Sequence, residues 1–422
     1  MKAGASQVCI TPAERLDLTG YWDRVQPMTG VHDDIFAKAL FLEADREKLL
    51  WLHCDLLGLD IRRVRALRPR LASQFGLAER QIVMSATHTH AGPATIFLHG
   101  CGRVDPAYLD RLDALLTEAA AMAVPRAEQV TMRFAEGCCS LGIDRRRKWY
   151  KFERHAHTDA TLPVLAFENV AGEMVAVITN YAMHNVTLGG GNRLVSADWA
   201  GVAAGMIRAS LPGGPVAIIS NGCAGNLNPP ETSNSFEGAD RVGKAFGEDA
   251  LLTFSEGEPY NRVRIASVMK RLALPYIVPT REQLSAECEE SIARYGHRAE
   301  LEEWRDSVLG MMDAGAGASC DIDLQAFRIG PACFVAIPAE VFSRMANDLQ
   351  QAFGPHTYVV GYANGCISYL PFREIYEEGG YEPDLAFKVY GTLKLAPESF
   401  DLVREAAVEL LNRLNLKEKG KR

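Results

Sequence analysis

The feature that most constrains how this 422-residue chain can fold is a recurring event, in which a short apolar run stops and at once presents polar side chains. It happens after Ile82-Val-Met at His88 and His90, after Met174 to Asn180 at His184, and after Val216 to Ser220 across Asn221 to Asn228. It recurs after Cys333 to Ile337 at Glu340, and after Tyr358 to Gly361 across Asn364 to Tyr369. Short apolar runs bounded by Gly, Pro and Asn read as buried strands ending in turns. Stretches of helical periodicity stand between them, over Asp60 to Phe75, from Asp105-Pro106 to about Val124, from Asp198 to near Leu211, and over Glu398 to Leu414. Asp105-Pro106 is a helix start in its own right, an N-cap followed by proline at the first helical position. The expectation is an α/β fold of mixed β-sheets flanked by helices. Ligands in such folds collect where strand ends open into loops, so these polar groups are expected to share one pocket.

Within Gln81 to Ala94 the apolar strand runs into Thr87-His-Thr-His-Ala-Gly-Pro93. If the backbone stays extended through Thr89, period-two alternation puts His88 and His90 on one side. They then read either as a ligand pair or as a hydrogen-bonded strand end. His53 and Asp55 close the run Lys48 to Asp55 and carry the same two readings. Gly189-Gly-Gly191, just after His184, implies backbone that approaches a neighbour closely. From Ala273 to Ala318 the pattern turns charged and helical, with helices expected over Arg281 to His297 and Ala299 to Met312. That region, near 275–318, is a helical insertion, either a layer on the sheet or a lid over the site.

The net charge of −8 offers no basic face for nucleic acid. Lys417 to Arg422 reads as a short solvated tail. There is no apolar stretch long enough to span a bilayer and no signal-peptide core over Met1 to Thr11, so a cytoplasmic protein without an integral membrane segment is expected. The ten cysteines show no Cys-x-x-Cys spacing and read as reduced thiols. A small-molecule substrate is the expected partner, with self-association left open. Two histidine sites and a carboxylate are what a catalytic zinc site needs, although ligands so far apart match no short metal motif.

Several segments together resemble the neutral/alkaline non-lysosomal ceramidase family. They are Thr87-His-Thr-His-Ala-Gly-Pro93, Met183-His-Asn with Ser196-Ala-Asp-Trp-Ala-Gly201, Ala224-Gly-Asn-Leu-Asn-Pro229, Ile337-Pro-Ala-Glu340, and Gly361-Tyr-Ala-Asn364 through Gly380-Tyr-Glu382. Ile10-Thr-Pro12, Leu18-Thr-Gly-Tyr21 and Gly30-Val-His-Asp33 resemble its opening segment. The match is collinear and covers nearly the whole chain, as a single catalytic domain over 1–422 without the family's C-terminal immunoglobulin-like domain.

The resemblance implies a zinc-dependent amide hydrolase working through metal-activated water, with His88, His184, Glu340 and the phenol of Tyr369 as metal ligands. It implies that His90, Arg145 and Tyr381 lie by the substrate carbonyl, where they stabilise charge or move a proton. As residues alone, His90 and Tyr381 also read as packing groups, and Arg145-Arg-Arg-Lys148 as a solvated face. The chain departs from the family where the ceramidases carry a serine. Here Asn228 occupies that position and Asn226 the preceding aspartate. An amide is no nucleophile, so Asn228 is expected to orient water or a carbonyl, and nearby Cys223 reads as a buried thiol rather than a substitute nucleophile. Ceramide is not the expected substrate; a small polar amide is. Two further readings stay open: an esterase, lactonase or glycoside-cleaving enzyme on the same site, and a ligand-binding homologue without catalysis.

Overall fold

The computed structural model describes residues 1–260, 262–315 and 317–419, with no side chains beyond Leu414. Most of the basic tail therefore lies outside the described residues. Two β-sheets form the framework. The larger has nine strands, in the spatial order Val216–Asn221, Met174–Tyr181, Thr161–Asn169, Glu128–Cys138, Lys2–Cys9, Phe36–Ala44, Glu47–Cys54 and Ile82–Ala86, with Glu258–Tyr260 joined to Glu128–Cys138. Its two ends are parallel pairs and its interior is antiparallel. The smaller sheet runs Ile265–Pro275, Ser319–Ile329, Ala332–Ala336 and Thr357–Val360, and its last pair is parallel.

The two sheets pack on each other through Trp51, Ile178, Ile218, Phe327, Phe334 and Tyr358. Trp51 is fully buried with its indole N–H on Ser85 Oγ at 2.8 Å, and truncating such a residue to alanine costs about 3–5 kcal/mol. Helices cover the outer faces. Ile61–Phe75 and Pro106–Ala123 sit on one half of the large sheet, Asp198–Ser210 and Phe236–Ser255 on the other, and Arg344–Phe353 with Ser399–Lys419 on the small sheet. The Phe36–Ala44 strand shows why these strands read as continuous apolar runs. Leu40 and Leu42 face the inter-sheet core, whereas Ala37, Ala39 and Phe41 face the helices.

The helix starts follow their caps. Asp60 accepts from the backbone N–H of Arg62 and Arg63, Asp105 from that of Tyr108 ahead of Pro106, and Thr280 with Gln283 forms a capping box. Two long strands escape the sequence reading, Glu128–Cys138 and Ile265–Pro275, as do short ones such as Glu258–Tyr260. In the first, Val130, Met132 and Phe134 alternate with polar residues, a period-two signal that its short apolar content obscures.

The charged insertion forms two helices, Arg281–Tyr295 and Arg298–Asp313. Their apolar face, built from Leu284, Cys288, Leu301, Trp304 and Val308, packs on Leu385, Phe387 and Leu393, and no residue of either sheet belongs to that cluster. All ten cysteines are free thiols, and no described helix is long and apolar enough to cross a membrane.

Candidate metal centre

The polar groups that end the apolar runs meet at one end of the sandwich. His88 follows the Ile82–Ala86 strand, but the backbone is not extended there: its φ is +62°. The alternation argument for His88 and His90 therefore fails, and a left-handed residue supplies the turn that brings the rings together. Their Nε2 atoms are 3.2 Å apart. Asp198, Tyr362, Asn364 and Ser368 also have positive φ, a conformation side-chain-bearing residues adopt only where surroundings enforce it.

His88 Nδ1 is 2.7 Å from the carbonyl oxygen of Leu57, His184 Nδ1 is 2.6 Å from that of Ala224, and His90 Nδ1 is 3.2 Å from that of Gly20. A carbonyl only accepts, so each Nδ1 carries its ring's proton and each Nε2 presents a lone pair inward. Glu340 Oε2 joins them, 3.0 Å from His184 Nε2 and 3.3 Å from His88 Nε2, while Tyr390 donates to Oε1 at 2.7 Å. No hydrogen-bond donor serves Glu340 Oε2. Burial lowers His184 to about 4 and His90 well below the ordinary histidine value, helped by Arg145 and by the other two rings respectively. Lone pairs and a carboxylate that converge with no proton between them fit a bound cation. His88, His90 and His184 form a group able to hold a metal ion, with the backbone carbonyls as the partners that orient metal-binding histidines.

Tyr369 places its hydroxyl 3.5 Å from His184 Nε2, with its ring parallel to the imidazole. The short helix Arg145–Tyr150 delivers Arg145, whose Nη1 lies 3.5 Å from His184 Nε2 and 3.4 Å from Asn228 Oδ1. Burial opposes its charge, but Tyr369 and Glu382 outweigh that and keep it cationic. The expectation of a solvated Arg145–Lys148 face is half overturned. Arg145 and Arg146 are buried and both bind Glu382, at 3.0 and 2.5 Å, while Arg147 and Lys148 are exposed.

A cavity of about 400 Å³ opens onto the centre, lined by His90, His184, Arg145, Asn228, Tyr369 and Tyr381 among others. His88 and Glu340 lie behind this wall. All eight residues singled out from the sequence thus come together. Cys223 does not line the cavity; it is buried in the core beneath the small sheet, and burial pushes its thiol up. Asn226 is structural, donating to Asp144 and the carbonyl of His157 and accepting from Ser343 N–H. His53 bonds Ser85 Oγ, and Asp55 forms a buried pair with Lys38 at 3.0 Å, so both are strand-end structure.

Sequence reasoning missed Tyr390, Glu382 and Arg24. Arg24 is buried without a carboxylate and donates to the carbonyls of Thr19, His90, Gly189 and Gly190, and burial lowers it to about 10. The close approach implied by the three glycines is to Asn234, whose side chain a Cβ at Gly189 would overlap and which accepts from Gly191 N–H at 3.1 Å. Gly225 marks another, since a Cβ there would lie 2.7 Å from the Glu340 carbonyl oxygen.

No family model matches the chain. Among curated proteins it is 22% identical to a neutral ceramidase of Pseudomonas aeruginosa over 88% of this chain and 66% of the relative. It is 23% identical to the neutral ceramidase of Drosophila melanogaster over 48% of this chain and 31% of the relative. The chain thus spans from about a third to about two thirds of the relatives it matches. Among solved structures, the neutral ceramidase of Pseudomonas aeruginosa superposes with a TM-score of 0.78 at 18% identity, over 99% of this chain and 74% of that one. A ceramidase complexed with a ligand designated C2 gives 0.80 at 18% identity, over 99% and 75%. The chain has the fold of the neutral ceramidase catalytic domain.

Proposed function

We propose, for a chain with the neutral ceramidase fold, that it is a zinc-dependent hydrolase cleaving an amide bond with water as the nucleophile. The observation that carries this reading is the convergence of imidazole lone pairs on the Glu340 carboxylate at the floor of a substrate-sized cavity. His88, His184 and Glu340, with the Tyr369 hydroxyl, would hold the ion. His90 fits a role toward substrate better, because its ring lines the cavity while His88 lies behind it. Zinc, when bound, supplies Lewis acidity toward water and an amide carbonyl.

The chain's own residues divide the remaining work. Arg145, held cationic beside His184, offers positive charge where an oxyanion develops as the carbonyl becomes tetrahedral. Tyr381 lines the cavity, and burial keeps its phenol protonated, so it donates a hydrogen bond to that oxygen or a proton to the leaving amine. His90, with Nδ1–H fixed on Gly20, accepts or returns a proton at Nε2. Asn228 accepts from Arg145 through Oδ1 and has amide N–H groups for a carbonyl or water. It forms no acyl intermediate, so the amide carbon is attacked by water directly.

The relatives are named for cleaving ceramide, whose acyl chain and base are joined by an amide; a smaller amide is the substrate proposed for a cavity of about 400 Å³. Elemental analysis of protein purified without added metal is the test. About one zinc per chain is expected, lost in His88→Ala and retained with reduced turnover in His90→Ala. Protein that holds no divalent ion and takes none up would refute the reading. A panel of amide, ester and glycoside chromogens assigns the bond cleaved, and full metal loading without turnover of any of them would indicate a ligand-binding homologue.

A further inference from the structure

The helix Arg145–Tyr150 is only six residues long, yet it turns three side chains toward the cavity: Arg145, Lys148 and Trp149. Residues three and four apart share a helix face, so these form one stripe leading outward from the centre. Arg145 anchors its inner end against His184, and its guanidinium lies over the Trp149 ring at 5.3 Å and the Tyr369 ring at 5.2 Å. Arg145 shares Glu382 with Arg146, whereas Lys148 forms no ion pair among the described residues. About one helical turn, near 5 Å, separates the two cationic positions along the axis. Among the described residues no aspartate or glutamate lines the cavity, although the chain as a whole is acidic at −8. Apolar and aromatic side chains such as Trp22, Ile143 and Val186 make up much of the remaining wall, with Asn228 and Thr232 as neutral polar members.

We infer that the cavity selects amides bearing a carboxylate a few bonds from the scissile carbonyl, the N-acyl amino acid class, with the carboxylate seated against Lys148. The assignment rests on the amide-hydrolase reading above and adds a specificity-determining residue to it. With the carbonyl by His184 and Arg145, a carboxylate on the amine-side α-carbon points along the stripe toward Lys148, one helical turn further out. An apolar acyl group then meets the hydrophobic wall. Cleavage is ordinary hydrolysis: water adds to the carbonyl carbon, the C–N bond breaks, and the nitrogen leaves with a proton as the amino acid.

The test pairs N-butyrylglycine with its uncharged analogue N-butyrylglycinamide on the zinc-loaded protein, measuring kcat/KM and, separately, affinity from the Trp fluorescence change on titration. The expected result is a preference for the carboxylate of roughly fivefold, the scale of a partly exposed ion pair. It should shrink as salt is raised and fall toward unity in Lys148→Gln, while Lys148→Arg retains it. Equal turnover of the two compounds, or a preference that survives Lys148→Gln, would overturn the inference and leave the hydrolase reading intact. If neither compound is cleaved, the hydrolase reading loses its support for this class, and the fluorescence titration still decides the inference. Tighter binding of the carboxylate through Lys148 supports it, and indifference to charge overturns it.

Discussion

Replacing Glu382 by glutamine strips the buried carboxylate that Arg145 and Arg146 share. The side chain is fully enclosed, accepts from Arg145 Nε at 3.0 Å and from Arg146 Nη1 at 2.5 Å, and stands within 3.0 Å of Arg145 Nη2. Glutamine keeps the shape and one acceptor oxygen but leaves Arg145 facing a neutral amide in a water-poor site and Arg146 with Glu378, at 3.2 Å, as its remaining carboxylate. Removing one partner of a buried ion pair costs about 3–5 kcal/mol, because the remaining charge is left uncompensated. At about 2.1 cal/mol/K per residue, unfolding this chain of 422 residues carries roughly 0.9 kcal/mol/K of entropy. The melting temperature of Glu382→Gln should therefore fall by about 3–6 °C, read by calorimetry at fixed metal loading. Adding Arg146→Met removes a guanidinium that has lost one of its two carboxylates, so the double variant should be more stable than the sum of the single changes by about 1 kcal/mol. A Glu382→Gln melting temperature within about 1 °C of wild type, or strict additivity in the double variant, would refute the claim that this carboxylate holds both arginines in place.

Tyr390→Phe removes the hydroxyl that fixes Glu340 Oε1; zinc affinity, measured by competition with a chelator, should weaken about 10- to 100-fold. Arg24→Met frees four carbonyls around His90 and the three glycines. It should lower kcat more than metal content, and unchanged kcat would remove Arg24 from any positioning role. Asp198 is buried, and burial raises its carboxyl from 3.8 to about 6. A raised folded-state pKa contributes stability that is complete below about pH 4 and lost as pH rises through about 6. The contribution is about 3 kcal/mol, two pKa shifts of 1.36 kcal/mol each. Denaturant unfolding of Asp198→Asn across that window should lack this slope, and a slope equal to wild type would contradict it.

Much of the centre was legible because its residues stand at strand ends, where an apolar run gives way to a histidine or a carboxylate within a few positions. His88, His184 and Glu340 announce themselves this way. The supporting residues do not, because their partners are distant in sequence. Glu382 meets Arg145 across 237 positions, and Tyr390 meets Glu340 across 50. Nothing local separates Arg145 and Arg146 from the solvated Arg147 and Lys148, since burial is decided by the segment around Glu382 folding over them. His88 and His90 face each other, but not by alternation, which needs an extended backbone: tertiary packing imposes a left-handed one. The strands Glu128–Cys138 and Ile265–Pro275 were missed because their polar faces dilute the apolar signal.

His88 and His184 leave the large sheet, whereas Glu340 and Tyr369 follow strands of the small one. Neither half of the sandwich holds the candidate centre by itself. The chain is thus a natural coincidence detector. Cut between the two sheets and expressed as separate fragments, it should be silent in either piece, and recovered turnover would report only their reunion.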